Sequence, residues 1–599
     1  MSWSKRDWFF CLILAVVTML AYQPAWNGGF IWDDDSYVTN NELLIAPDGL
    51  RRIWFSLDSP SQYVPLVYTT LRIEHALWGL HPFGYHWVNL LLHITNALLV
   101  WRLLVRLRVP GAWLAGAIFA LHPVQVESVA WITERKNVLM GCFFLLTLLA
   151  WISFIDERTK RPWRFYGLAL ILYVLALSAK TTACTLPAAL LLVLWLQKKP
   201  ITWERIFQIV PFFLLGLGMG LVAVWWERYH QGTLVAFVPL GPIERILLAS
   251  RAVWFYLGKL IWPSNLTFIY PQWNIAPKRT LDYVWLLAGA GLCAVIYFVR
   301  RYVGRGVEVA AIFFVVTLSP VLGFIMLFTF SYTFVADHYQ YLATIGPVAL
   351  ASAGVVSLAG AFKGSRKLIL GAALFIIATL SLLTWRQSAM YGDIETLWRT
   401  TLARNPDCWM AYNNLGLALY EANRVPEAMN LFKQSLRINP ANAAAHYNLG
   451  NALFQAGRTL EAIDQYKQAL QIRPNYADAH NNLGNVLFQA GRTSEAIDQY
   501  QQALRTKPKY ADAHNNLGTV LFQTGRTSEA IDQYKEALRM NPNSADAHNN
   551  LGAALAQMGR ISEAIEELKA ALRINPNYLD ARNNLTKLQA VQKTESLKP

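Results

Sequence analysis

Charge is scarce in this 599-residue chain: only 15% of its residues are Asp, Glu, Lys or Arg, against about 25% in an average soluble protein. An ordinary cytosolic enzyme of this size is therefore not expected. Cysteine is scarce too. Of the five, Cys11, Cys142, Cys184 and Cys293 lie in or beside apolar runs and Cys408 stands alone, so neither a metal spacing nor a disulfide framework is present. Polar low-complexity sequence is also missing, because 23 Trp, 26 Tyr and 29 Phe supply too much apolar surface for long disorder. What the chain does have is 54% hydrophobic residues and a net charge of +15. Residues 1–385 carry 30 Lys and Arg against 18 Asp and Glu, and hence +12 of that charge. Basic residues beside membrane spans explain this distribution better than a nucleic-acid partner, which is not expected.

Apolar segments of spanning length fall near 7–25, 85–104, 111–130, 137–155, 165–179, 181–197, 206–226, 281–299, 308–330, 338–360 and 367–385. A twelfth stretch, 244–262, contains Glu244, Arg245, Arg251 and Lys259 and reads as an interfacial or re-entrant helix. With the amino terminus in the cytoplasm, the basic loops around Arg102–Arg108, Arg158–Arg164, Lys198–Arg205, Arg300–Arg305 and Lys363–Lys367 all fall inside. Eleven crossings then leave the carboxyl-terminal part on the external side. No small-residue cleavage site follows the first apolar run, so a retained span is expected rather than a signal peptide.

After Trp385 the sequence changes character. Pro406, Pro440, Pro474, Pro508, Pro542 and Pro576 recur every 34 residues, as do Gly416, Gly450, Gly484, Gly518 and Gly552. Glycine lets paired helices approach, Ala428, Ala462, Ala496, Ala530 and Ala564 pack between them, and proline ends each second helix. This pattern resembles the tetratricopeptide repeat. The sequence thus divides into a membrane domain, 1–385, a linker helix, 386–408, five repeats, 409–576, and a capping helix with tail, 577–599. The fold class is all-α, a multispan helical domain followed by an α-solenoid. Asn414, Asn448, Asn482, Asn516 and Asn550 stand two residues before each repeat glycine, forming a ladder whose amides could bind an extended peptide, although repeat copying alone would preserve them equally well.

Charges beside spans are costly and so mark candidate sites. Asp33, Asp34 and Asp35 follow the first span; three adjacent carboxylates raise one another's pKa unless a cation compensates, which suits a general base or a divalent metal ligand. His122-Pro123 leads through Glu127 to Glu134-Arg135-Lys136-Asn137, where Arg135 and Lys136 could hold a phosphate. Lys180, flanked by apolar runs, should pair with an anion. Asp337 and His338 end another span and could complete the cluster. His86, Asn89 and His93 share a helical face and read as a buried hydrogen-bond network rather than a metal site.

These features together resemble the multispan GT-C glycosyltransferases, and more closely the O-mannosyltransferase-like group with carboxyl-terminal tetratricopeptide repeats. The carriers are Phe30-Ile31-Trp32-Asp33-Asp34, His122-Pro123 with Glu127-Ser128-Val129-Ala130, Glu134-Arg135-Lys136-Asn137, Lys180 through Pro187, Trp262 through Leu266, and Ala336 through Leu342. The resemblance implies a polyprenyl- or dolichyl-phosphate sugar as co-substrate. It also implies Asp33 or Asp34 as the base for an acceptor hydroxyl, and Arg135, Lys136 and Lys180 around the leaving phosphate. Relatives commonly have Asp at Asn137, Arg at His338 and Arg at Val64. The competing expectation is a membrane-anchored scaffold whose repeats recruit a partner protein while the transferase half is inactive. A bacterial inner membrane is preferred to a reticulum lumen, since Ser596-Leu597-Lys598-Pro599 carries no retention signal.

Overall fold

The computed structural model describes residues 4–56, 62–229, 240–325, 327–361 and 366–595. Lys363 and the tail Ser596–Pro599 lie outside the described residues. Every regular element among them is helical. The chain forms two compact units, Met1–Cys408 and Trp409–Pro599.

In the first unit, proline sets where helices begin. Pro65, Pro82, Pro162 and Pro242 each occupy the first helical position, where the missing N–H costs nothing. Among the described residues six helices are long and apolar enough to cross a membrane: Pro82–Arg106, Ile132–Ile155, Pro162–Ala179, Trp203–Glu227, Thr280–Val303 and Lys367–Tyr391. Five other apolar stretches are helical over shorter lengths. Lys5–Ala21 has 17 residues and Arg305–Leu318 has 14; Ala112–Leu121, Thr181–Leu196 and Ile345–Ala361 are shorter apolar helices.

These shortened helices position the site. The segment expected to span 111–130 stops at Leu121, because Pro123 disfavours helical backbone at His122, which is extended (φ −78°, ψ 127°). The chain then passes through short helical turns, Pro123–Gln125, Val126–Ala130 and Ile132–Glu134, before resuming as Arg135–Ile155. Likewise the segment expected at 308–330 ends at Leu318 before Ser319-Pro320, and that expected at 338–360 becomes a regular helix only at Ile345. Irregular backbone at membrane depth survives only where protein buries it or where it lines a cavity. Both hold here.

Pro242–Ile261, expected to be interfacial, buries Leu248, Ala249, Ala252 and Tyr256, the last two of them packed with Phe314 and Leu318. Ile243, Ile246 and the following Trp262 stay exposed. Residues 386–408 fold onto the first unit rather than standing apart as a linker. Trp398 is fully buried, edge-on to Trp32 and Phe268 at 5.9 and 5.5 Å, and Asn405 Nδ2 donates to the Ile269 carbonyl at 3.1 Å.

The second unit is five helix pairs, from Trp409–Glu421 with Val425–Ile438 to Ala545–Gln557 with Ile561–Ile574, closed by Leu579–Glu595. The repeat glycines are demanded by close approach. A Cβ on Gly450 would stand 2.8 Å from Tyr466 Cε1, and one on Gly484 2.7 Å from Tyr500 Cε1. Ala428, Ala462, Ala496, Ala530 and Ala564 are all fully buried.

Candidate functional site

One cavity of about 320 Å³ in the first unit gathers Asp33, Glu127, Glu134, Lys136, Lys180, Glu227 and His338. Its walls are aromatic: Trp32, Trp131, Phe268, Tyr332 and Tyr339 line it, with Trp32 and Trp131 stacked at 5.5 Å. Trp32 holds a left-handed backbone (φ 44°), a conformation that is costly for a bulky residue and recurs at functional sites.

The three aspartates separate. Asp33 lines the cavity, and burial raises its carboxyl above the usual aspartate value, opposed by nearby Lys136. Asp34 turns inward and is fully buried. One oxygen accepts from the Thr133 amide at 2.9 Å and its hydroxyl at 2.6 Å, and the other accepts from the Ile31 amide at 2.9 Å. Burial nonetheless pushes Asp34 up to about 7. Asp34 clips the loop to the Ile132–Glu134 turn and thereby fixes where Asp33 points. Asp35 is exposed and accepts from Thr39 Oγ1 at 3.3 Å. The triplet does not converge, and among the described residues no three His, Cys, Asp or Glu are grouped to hold a metal ion.

Glu134 is the carboxylate around which the cations assemble. Lys136 Nζ lies 3.2 Å from Glu134 Oε1; Lys180 Nζ donates to Glu134 Oε2 at 3.1 Å and to Asn137 Oδ1 at 2.9 Å. Asn137 Nδ2 donates back to Glu134 at 2.7 Å and to the His338 carbonyl at 2.9 Å. Lys136 also stands 4.9 Å from the Tyr37 ring centre. An ammonium has three donors, so each lysine keeps at least one for an incoming anion.

Arg135 does not join them. Consecutive helical residues point about 100° apart, and Arg135 faces the fully buried opposite side, where it forms an ion pair with Glu74 and donates to the Tyr85 carbonyl at 2.9 Å and to Asn89. The phosphate role expected for Arg135 is thus corrected: a guanidinium already matched to a carboxylate and closed to the cavity positions the helix start. His122 is also structural, its Nε2 3.0 Å from the Leu260 carbonyl. Asp337 accepts from Tyr270 OH at 3.0 Å away from the cavity lining, and burial holds its carboxyl well above the usual range. Glu127 and His338 do meet in the cavity: Glu127 Oε2 accepts from the His338 amide at 3.0 Å, and His338 Nδ1 lies 3.1 Å from Glu127 Oε1. His86 and His93 are bound in a buried network, to the Gly28 carbonyl and to Tyr341 OH.

Sequence reading passed over Glu74, Glu227 and the central role of Glu134. Glu134 had a signal, since it sits beside two cations; Glu227 follows an apolar run directly. Glu74 lies outside any expected span and offered none.

In the second unit the asparagines tie repeats together. Asn448 Nδ2 donates to Asn413 Oδ1, Asn516 to Asn481 and Asn550 to Asn515, at 3.0–3.1 Å. Asn482 donates to Tyr447 OH at 3.0 Å and to Asn451 at 2.9 Å, and Asn414 accepts from Asn413 at 3.1 Å.

Fold and site together define a multi-pass, all-α membrane protein with a charged cavity and a helical-repeat solenoid. Residues 416–457, 450–491, 484–525 and 518–559 match the family model described as TPR repeat, and 545–578 match Tetratricopeptide repeat. The chain is similar to protein O-mannosyl-transferase TMTC2 of Mus musculus, 31% identical over 26% of this chain and 20% of the relative. It is also similar to protein O-mannosyl-transferase F38B6.6 of Caenorhabditis elegans, 26% identical over 68% of this chain and 59% of the relative. The second alignment covers far more than the repeats, which make up less than a third of the chain, so it reaches well into the membrane unit. The chain spans between about a fifth and three fifths of the length of these relatives. A solved structure of YrrB, titled a TPR protein with an unusual peptide-binding site, is 25% identical over 31% of this chain and 96% of that one, with a TM-score of 0.28.

Proposed function

We propose that this protein is a membrane glycosyltransferase moving a sugar from a polyprenyl or dolichyl phosphate to an external acceptor, a Ser or Thr hydroxyl of a protein. In this reading Asp33 takes the hydroxyl proton as the oxygen attacks the anomeric carbon. The bond from that carbon to the phosphate oxygen breaks, and the lipid phosphate leaves toward Lys136 and Lys180. Glu134 keeps both ammoniums in place, and the Glu127–His338 pair closes the same cavity. The repeats bind the acceptor or a partner protein. The amino terminus is cytoplasmic, the repeats external, and a bacterial inner membrane is the preferred location.

The observation that carries this reading is the single cavity bordered by Asp33, Lys136 and Lys180 among apolar helices, where a lipid tail and a charged head can be held together. The similarity to curated O-mannosyl-transferases supports mannose as the sugar. A raised carboxyl suits a base, since proton transfer is most effective with a pKa near the working pH. The test is to incubate the purified full chain with radiolabelled polyprenyl phosphate mannose and Ser/Thr peptides. Label entering peptide is expected; none, with donor bound and intact, favours the scaffold reading. That second reading draws on one observation: both lysines already contact Glu134, which offsets one of their two charges.

A further inference from the structure

The first unit contains a second cavity, of about 380 Å³, with a different character. It is lined by apolar side chains, including Leu103, Leu107, Leu192, Leu196, Phe313 and Leu350, and among the described residues its lining contains one charged residue, Arg108, and no carboxylate. Its location is fixed by two helices it shares with the first cavity. The first cavity touches Cys184, just before the helix Leu186–Leu196, and Pro320, just after Arg305–Leu318. The second touches Ala189–Leu196 and Gly306–Phe313, running along both helices to their other ends. The second cavity therefore opens toward the helix ends remote from the first, beside basic loops that the topology proposed above places in the cytoplasm, and its leaflet rests on that topology.

The rim is basic by construction. The helix Pro82–Arg106 ends with Arg108 in the left-handed region (φ 58°) and a Val109 amide to Leu104 carbonyl bond of 2.9 Å. Leu186–Leu196 ends in the same way at Lys198 (φ 57°), with the Lys199 amide 3.0 Å from the Leu194 carbonyl. Glycine or asparagine ordinarily takes this position in a helix end. Two exposed cations occupy it here. Arg305 adds a third, its guanidinium donating to the Trp195 carbonyl at 3.2 Å beside lining residue Leu196. Two acids lie nearby: Glu308 is 3.8 Å from Arg300, and Glu157 forms an ion pair with Lys199.

We propose that this cavity is a binding site for an anionic phospholipid of the cytoplasmic leaflet. One acyl chain enters between the helices and the phosphate is held at Arg108, Lys198 and Arg305. The apolar lining matches a chain; three cations at the rim, with the nearby carboxylates Glu308 and Glu157 paired to Arg300 and Lys199 instead, match a negative headgroup and disfavour a neutral one. The site is independent of sugar transfer, so the proposal survives or fails without reference to it.

The test uses the full-length chain in detergent, titrated with phosphatidylglycerol or phosphatidylcholine of identical acyl chains and read by native mass spectrometry. Wild type is expected to retain phosphatidylglycerol at least ten-fold better. Arg108→Glu combined with Lys198→Glu should abolish that preference while leaving phosphatidylcholine retention unchanged, since both side chains are exposed. Ala353→Trp, which fills the cavity from its lining, should reduce retention of phosphatidylglycerol with the rim intact. Equal retention of the two lipids by wild type would overturn the proposal, as would a preference that persists in the charge-reversed protein. Unchanged phosphatidylglycerol retention by a folded Ala353→Trp protein would overturn it too.

Discussion

Lys180 Nζ and Glu134 Oε2 lie 3.1 Å apart although 46 positions separate them in the sequence. Glu134 is buried and Lys180 largely so, with 3% and 16% exposure, and Lys136 shares the same carboxylate. Removing one partner of a buried ion pair costs about 3–5 kcal/mol, because the other charge is left without compensation. Glu134→Gln is therefore expected to destabilise the folded chain by that order. Adding Lys180→Met should recover part of the loss, as measured by thermal unfolding in detergent.

Arg135 and Lys136 should separate cleanly. Arg135→Met strands Glu74 and is expected to lower stability by about 3–5 kcal/mol, with partial recovery on adding Glu74→Leu. Lys136→Met should instead weaken binding of a polyprenyl phosphate sugar. Equilibrium binding of labelled donor, alongside the unfolding temperature of each variant, checks the pair; a stable Arg135→Met protein with weakened donor binding would restore its phosphate role.

The acid side of the pH–rate profile should lie above the ordinary aspartate range, because Asp33 must lose its proton and its carboxyl is raised by burial. Asp33→Asn should remove about 10²–10⁴-fold of the rate together with that limb. Asp34 acts on stability instead. Its folded carboxyl, at about 7, holds a proton that the unfolded chain has lost above about 4. Stability is then greatest below about 4 and falls as pH rises toward 7. Unfolding followed from pH 4 to 8 should show this slope in wild type and a shallower one in Asp34→Asn.

Gly450→Ala would set a Cβ 2.8 Å from Tyr466. Overpacking of this kind costs about 1–3 kcal/mol, so hydrogen exchange across 443–472 should accelerate. Tyr466→Ala in the same chain should relieve the clash, although it removes buried packing of its own.

The solenoid was legible because a 34-residue period is a one-dimensional signal, and the repeat boundaries follow from Gly and Pro spacing. The membrane unit was legible as apolar segments but not as helix ends. His122-Pro123 and Ser319-Pro320 shorten helices inside apolar runs, and it is those breaks that turn Glu127 and His338 toward one cavity. Adjacent residues on a helix diverge in direction, which is why Arg135 and Lys136 could not be told apart by sequence. Asp33 and Asp34 posed the same difficulty in a tight turn. Only the fold reveals that Thr133 and Ile31 claim one of them.

The most direct test of the central claim compares sugar transfer by wild type, Asp33→Asn and Lys180→Met in one preparation, with labelled polyprenyl phosphate mannose and a Ser/Thr peptide. The account predicts transfer by wild type and at least about a hundred-fold loss in each variant, with both still folded. Transfer at the wild-type rate by either folded variant would contradict it.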